Sequence, residues 1–159
     1  MNLEIEKVLG EKSDELLFQI AKIWSQTGAL PKHIDPIDRA KEAVLIAREE
    51  DKRIIGVTTS RIVEYAQLKN HFFMIRGFIV PQFRIPGLFM KMIKQTMCDL
   101  ESYSLTLREP VKPIGILAEV ENAKLKSARL TRLASGLTLQ GFSSKGNPIY
   151  VYYFQGTRF

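Results

Sequence analysis

The chain has 159 residues, of which 45% are hydrophobic, and a formal net charge of +6. It is long enough to bury a sizeable core and too apolar for a disordered chain, and it reads as a single domain over residues 1–159. One cysteine, Cys98, excludes a disulfide framework or a cysteine-based zinc site within one chain, and His33 and His71 stand far apart, so no metal is expected.

The opening stretch MNLEIEKVLG carries charges where a secretion signal needs an apolar core. No apolar run approaches the roughly 20 residues of a membrane span, so a cytoplasmic protein without a membrane partner is expected. The basic balance suits an anionic partner: a polyphosphate ligand, a nucleic acid or an acidic protein surface. A mildly basic protein with no such partner accounts for the charge equally well.

NLEIEKVL alternates from residue 2 and reads as a first strand. Ser13 can cap a helix whose stripe is Leu16, Leu17, Ile20, Ala21 and Trp24, with Gly28 as its stop. Asp35 followed by Pro36 starts a short second helix. AVLIAREE and IIGVTTSRIVEYAQL flank the charged turn DKR as a hairpin. HFFMIRGFIV is more apolar and reads as a central strand, with Gly77 marking a bulge or a close backbone approach.

From Leu88 the period becomes helical. Leu88, Phe89, Met92, Ile93, Met97 and Leu100 fall on one face, and Lys91, Lys94, Gln95 and Asp99 face away. TLREPVKPIG is a long loop and IGILAEVE a strand. AKLKSARLTRLASG reads as a last helix, with Leu130, Leu133 and Ala134 inward and Gly136 as its stop. LTLQGFSS and PIYVYYF close the chain as a hairpin around KGNP. The order β-α-α-β-β-β-α-β-α-β-β predicts an α/β (α+β) protein, a mixed sheet with helices on its faces.

The stretch VPQFRIPGLF, residues 80–89, joins the central strand to a helix. A helix N-terminus presents unpaired N–H groups and the positive end of the dipole, which suit a phosphate. Gly87 would let an anion reach the backbone, Arg84 could add a charged fork, and Pro86 pre-sets the helix. A plain turn before an amphipathic helix has the same local pattern.

The element order, together with Arg84 and Gly87 opening the helix, resembles the GNAT superfamily of N-acetyltransferases over most of the chain. That family has a six- or seven-stranded, mostly antiparallel sheet in the order read above. Its motif is Arg or Gln, two residues, Gly, one residue, then Gly or Ala; this chain has Phe89 at the last position. Ala128, Gly136 and Leu137 match the family's spacing in the last helix. The resemblance implies acetyl-CoA, or another acyl-CoA, as co-substrate and no metal. Its pyrophosphate would lie on Arg84, Ile85, Pro86, Gly87, Leu88 and Phe89. Its arm would bond main-chain groups of Phe78, Ile79 and Val80. An amine of a small molecule, peptide or protein would attack the thioester directly, with a backbone N–H steadying the oxyanion.

The same register places Leu125 where the family often has an Asn, and Arg132 where it often has an acidic Tyr. An Arg holds its proton at neutral pH but can stabilise a thiolate as a charge. Strand parity puts Glu119 and Glu121 on one face as candidate bases, and Glu64 is a third; for each alone a solvated strand residue is the plainer reading. Tyr150 and Tyr152 share a face of the last strand, where one could line an acceptor pocket; half-buried residues with solvated hydroxyls are the plainer reading. Trp24 belongs to the core, and His33 could reach a substrate from a loop. Lys126, Arg129 and Arg132 would form a basic stripe. The apolar last strand IYVYYF could pair across a homodimer. Two alternatives stay open: a GNAT-fold acyl-CoA-binding sensor without catalysis, and a basic nucleic-acid- or ribosome-associated module, against which stands the lack of an aromatic-basic RNA signature.

Overall fold

The computed structural model describes residues 2–108 and 110–157. Its elements are β1 (Glu4–Lys7), α1 (Asp14–Thr27), α2 (Pro36–Lys41), β2 (Ala43–Arg48), β3 (Ile54–Tyr65), β4 (Asn70–Ile79), a 3-10 turn (Pro81–Phe83), α3 (Leu88–Ser104), β5 (Gly115–Glu119), α4 (Ala123–Ala128), β6 (Thr138–Phe142) and β7 (Pro148–Tyr153). The seven strands form a mixed sheet in the order β1-β2-β3-β4-β5-β7-β6. β4 and β5 are parallel, paired at Phe73↔Ile116 and Met74↔Leu117. The pairs β1–β2, β2–β3, β5–β7 and β6–β7 are antiparallel, and the expected α+β class and element order are those observed. No helix among the described residues is long and apolar enough to cross a membrane. Nor does any group of three His, Cys, Asp or Glu among them stand close enough to hold a metal.

The chain forms two compact units. The first takes the chain up to Ser60 and again over Arg76–Thr96. Its helices start and stop where local chemistry dictates. The Ser13 hydroxyl accepts from Leu16 N at 3.2 Å, and Gly28, in the left-handed region, donates its N–H to Trp24 O at 2.8 Å. Asp35 Oδ1 accepts from Ile37 N at 2.7 Å to open α2. Leu17, Ile20, Ala21, Ile23 and Trp24 of α1 pack with Val8, Ala40, Ile46 and Val57 into the core of this unit. On the other face of β3 from Val57, buried Thr58 and Thr96 share a hydrogen bond of 2.6 Å, and Thr58 Oγ1 also accepts from Leu45 N at 3.2 Å.

The second unit holds Arg61–Ile75 and the chain from Met97 on. Phe72, Leu117, Ile149 and Val151 form its core, and Tyr65 and Tyr153 meet the Phe72 ring edge-on at 6.5 and 5.9 Å. Burial raises the Tyr153 phenol above its ordinary pKa.

The last helix is half the expected length. α4 stops at Ala128 because Arg129 turns left-handed, at φ 48° and ψ 41°. Beyond it the backbone bonds across rather than along. Leu139 N donates to Thr131 O, and Leu133 N to Leu137 O, both at 2.8 Å; Arg132 bridges Thr138. Of the residues expected to face inward, Leu130 is 41% exposed and Ala134 exposed, while Leu133 is half-buried.

Candidate functional site

The turn after β4 belongs to the first unit. Lys91 N donates to Gly87 O at 2.9 Å, the first helical bond of α3, which makes Gly87 its N-cap. Gly87 sits at φ +83°, and a Cβ there would meet nothing within 4 Å. Leu88 N reaches Ile85 O at 3.3 Å. Among the described residues no group accepts from the N–H of Phe89 or Met90. The other α-helices, α1, α2 and α4, have a capping side chain, from Ser13, Asp35 and Asn122. α3 therefore presents bare donors over an open glycine. Ile85, Pro86 and Gly87 are exposed, as that arrangement requires.

Arg84 does something else as well. Its Nε donates to Ile79 O at 3.1 Å, which ties the turn back to the end of β4. The strand end also revises the expected main-chain set. Val80 N donates to Ile55 O of β3 at 2.8 Å, and Val80 O accepts from Phe83 N at 2.9 Å. In an antiparallel pair the backbone groups of alternate residues point to opposite edges. Val80, and by parity Phe78, therefore address β3. Gly77 and Ile79 address the edge of β4 away from β3. Of the three residues expected to bond a ligand arm, Val80 has both main-chain groups engaged within the chain, and Ile79 O is engaged by Arg84 Nε.

Phe89 does not share the buried face of α3. It is 46% exposed, whereas Leu88, Met92 and Ile93 are buried. Its ring lies over Gly77: a Cβ built on Gly77 would stand 2.6 Å from Phe89 Cε2. Gly77 is thus the close approach that its place in the strand suggested, and the body that approaches is the ring of Phe89.

The second unit carries the candidate bases. Glu119 ends β5, where its Oε1 accepts from Asn147 Nδ2 at 3.0 Å. Asn147 Oδ1 accepts from Lys126 Nζ at 2.8 Å. Glu121 lies beyond the strand and is exposed, as is Glu64 on β3. Arg132 is exposed on the bridge to Thr138, off any helix, so it holds no helical register equivalent to a Tyr of the family. Leu125 lies on α4, while Asn122 spends its side chain capping that helix, bonding Lys124 N and Leu125 N. The basic stripe dissolves with the helix. Tyr150 is 1% exposed, and its hydroxyl is spent on Leu130 O at 2.6 Å rather than solvated. His33 is exposed. Sequence reasoning missed Asn147, whose turn setting in KGNP hides it among ordinary loop residues.

Solved structures share this architecture. Salmonella typhimurium yncA, with its cofactor acetyl-CoA, matches at a TM-score of 0.68 and 12% identity, over 99% of this chain and 97% of its own. A GNAT superfamily phosphinothricin acetyltransferase from Sinorhizobium meliloti, in complex with acetyl-CoA, matches at 0.67 and 13%, over 99% and 93%. The ribosomal-protein-S5-alanine acetyltransferase of Vibrio fischeri matches at 0.64 and 12%, over 98% and 95%. No family model matches the chain, and no curated protein does. The protein has the fold of the GNAT acetyltransferases.

Proposed function

We propose that this protein is an N-acetyltransferase that takes the acetyl group from acetyl-CoA and places it on an amine. The observation that carries this reading is the start of α3: an open glycine at φ +83° beside N–H groups of Phe89 and Met90 that no described residue accepts. A diphosphate fits there, with Gly87 giving clearance and the helix dipole favouring negative charge. Ile85, Pro86 and Leu88 shape the same turn. Arg84 braces it through Ile79 O, and its terminal nitrogens can face the phosphates. Ile79 and Gly77, rather than Phe78 and Val80, offer main-chain groups to the arm.

When bound, acetyl-CoA supplies a thioester carbonyl that a neutral amine attacks, forming the C–N bond and breaking the C–S bond. Glu119 takes the proton of the substrate ammonium so that the amine is neutral when it attacks. Among the described residues no side chain bonds Glu121 or Glu64, whereas Asn147 bonds Glu119, so Glu119 is preferred. Two of the relatives named above act on phosphinothricin and on a ribosomal-protein alanine, which supports an amine acceptor without selecting one. The position of Arg132 off the helix favours, as a second reading, an acyl-CoA binder without turnover.

Thermal unfolding with and without acetyl-CoA tests the proposal. At 100 times its dissociation constant a ligand adds about 2.7 kcal/mol, a rise of roughly 5 to 10 °C for a chain of this size. The rise is expected to vanish in Gly87→Glu while that variant stays folded. No rise in the native protein would refute acetyl-CoA binding. A rise without CoA release over a panel of amines would favour the second reading.

A further inference from the structure

We infer that Asn147 and Lys126 are positioning residues that hold the Glu119 carboxylate as the proton acceptor, an inference that rests on the acetyl-transfer reading above. Asn147 is 8% exposed, and each of its polar groups is bonded. Its N–H donates to Ser143 Oγ at 3.2 Å, and its C=O accepts from Ser143 N at 2.8 Å. Its side chain joins Lys126 Nζ at 2.8 Å to Glu119 Oε1 at 3.0 Å.

The direction of this chain of bonds is dictated by chemistry. An ammonium only donates, so the atom facing Lys126 must be the amide oxygen. The amide nitrogen is thereby turned toward Glu119, where a carboxylate only accepts. Lys126 thus selects the Asn147 rotamer, and Asn147 selects the position of Glu119 Oε1. A buried amide oriented from both sides costs little reorganisation when the carboxylate takes up a proton. Three elements meet in this network: the end of β5, the body of α4 and the first residue before β7. Val120 N, one residue past Glu119, donates to Pro148 O at 2.9 Å, which fixes the strand end beside it. The other charged residues of these segments, Glu121, Lys124, Arg129 and Lys145, are exposed.

In the step proposed, one proton passes from the substrate ammonium to Glu119. The second proton that nitrogen releases on acylation goes to the departing thiolate, so charge and atoms balance. Asn147 and Lys126 exchange no proton.

Two measurements test the inference. In nuclear magnetic resonance spectra of the whole protein, the Asn147 side-chain NH2 pair is expected well dispersed and slow to exchange. It should collapse toward the position of solvent-exposed Asn in Lys126→Met and shift in Glu119→Gln. An Asn147 pair that already resembles exposed Asn in the native protein overturns the inference, with or without an acceptor in hand. With an acceptor amine from the panel, Asn147→Ala should lower kcat about tenfold or more at little cost in KM. Lys126→Gln, which still donates an N–H to Asn147, should restore most of what Lys126→Met loses. Native kcat in Asn147→Ala refutes the positioning role. Failure of acetyl-CoA to raise the melting temperature sinks the acetyl-transfer reading instead, and the spectra distinguish that failure from this one.

Discussion

The ring of Phe89 occupies the space that a side chain on Gly77 would fill: Phe89 Cε2 lies 2.6 Å from where a Cβ would stand, and Cζ lies 3.1 Å from it. A bulky residue at the helix start is accommodated by a missing one in the strand below it. The two positions answer each other, so substitutions at them should couple. In Gly77→Ala the methyl displaces the end of a half-exposed ring, which can swing out, so the cost should be about 1 kcal/mol. In a Phe89→Ala background the same methyl meets mainly Ile93 Cδ1 at 3.3 Å, and Gly77→Ala should become neutral or stabilising. Urea unfolding of the four proteins would then give a coupling of about 0.5–3 kcal/mol. Additive single effects would show that the ring does not rest on Gly77.

What was legible in the sequence, and what was not, divides by range. Ser13, Asp35 and Gly28 act on backbone groups within four residues, so their identities and neighbours suffice to place α1 and α2. The alternation of NLEIEKVL and the two β-rich runs around the charged turn DKR are equally local. The end of α4 is not. Residues 130–133 are held out of the helix by bonds to Leu137, Leu139 and the Tyr150 hydroxyl, partners that a helical pattern in AKLKSARLTRLASG cannot reveal. In the site, Gly87 and Arg84 stood out through turn chemistry. The edge of β4 that faces away from β3 became clear only from the bond between Val80 N and Ile55 O. Asn147 had no local signal, because its partners lie 21 and 28 residues away.

Gly87→Ala separates backbone strain from ligand clearance. The new methyl meets no atom, so the stability cost comes from φ +83° alone and should be about 1–2 kcal/mol. The same methyl would point into the space proposed for the diphosphate. Acetyl-CoA affinity, read by calorimetry on the folded variant, should drop more steeply than stability does. Unchanged affinity would place the phosphates elsewhere.

Tyr150→Phe removes one hydroxyl and no volume that matters. Leu130 O loses its 2.6 Å donor, and the segment after Arg129 loses an anchor. A net hydrogen bond of this kind is worth about 1 kcal/mol. Amide hydrogen exchange at Leu133 and Leu139 should quicken, since their bonds to Leu137 O and Thr131 O depend on the extended path. Exchange identical to the native protein would mean that the cross-bonds alone hold the segment.

The buried threonine pair predicts an asymmetry. Thr96, 0% exposed, and Thr58, 1% exposed, share their hydroxyl bond, yet only Thr58 also accepts from Leu45 N. Thr96→Val leaves one hydroxyl without its partner while keeping the side-chain shape. Thr58→Val does that and strands a buried backbone N–H in addition. Each unpaired buried group costs about 1–3 kcal/mol, so Thr58→Val should be the worse of the two by about that amount. The double variant removes both hydroxyls and leaves only Leu45 N unsatisfied, so it should be less unstable than the sum of the singles. Chemical denaturation measures all three. Equal losses in the two single variants would show that Leu45 N finds another acceptor, and that Thr58 contributes only its bond to Thr96.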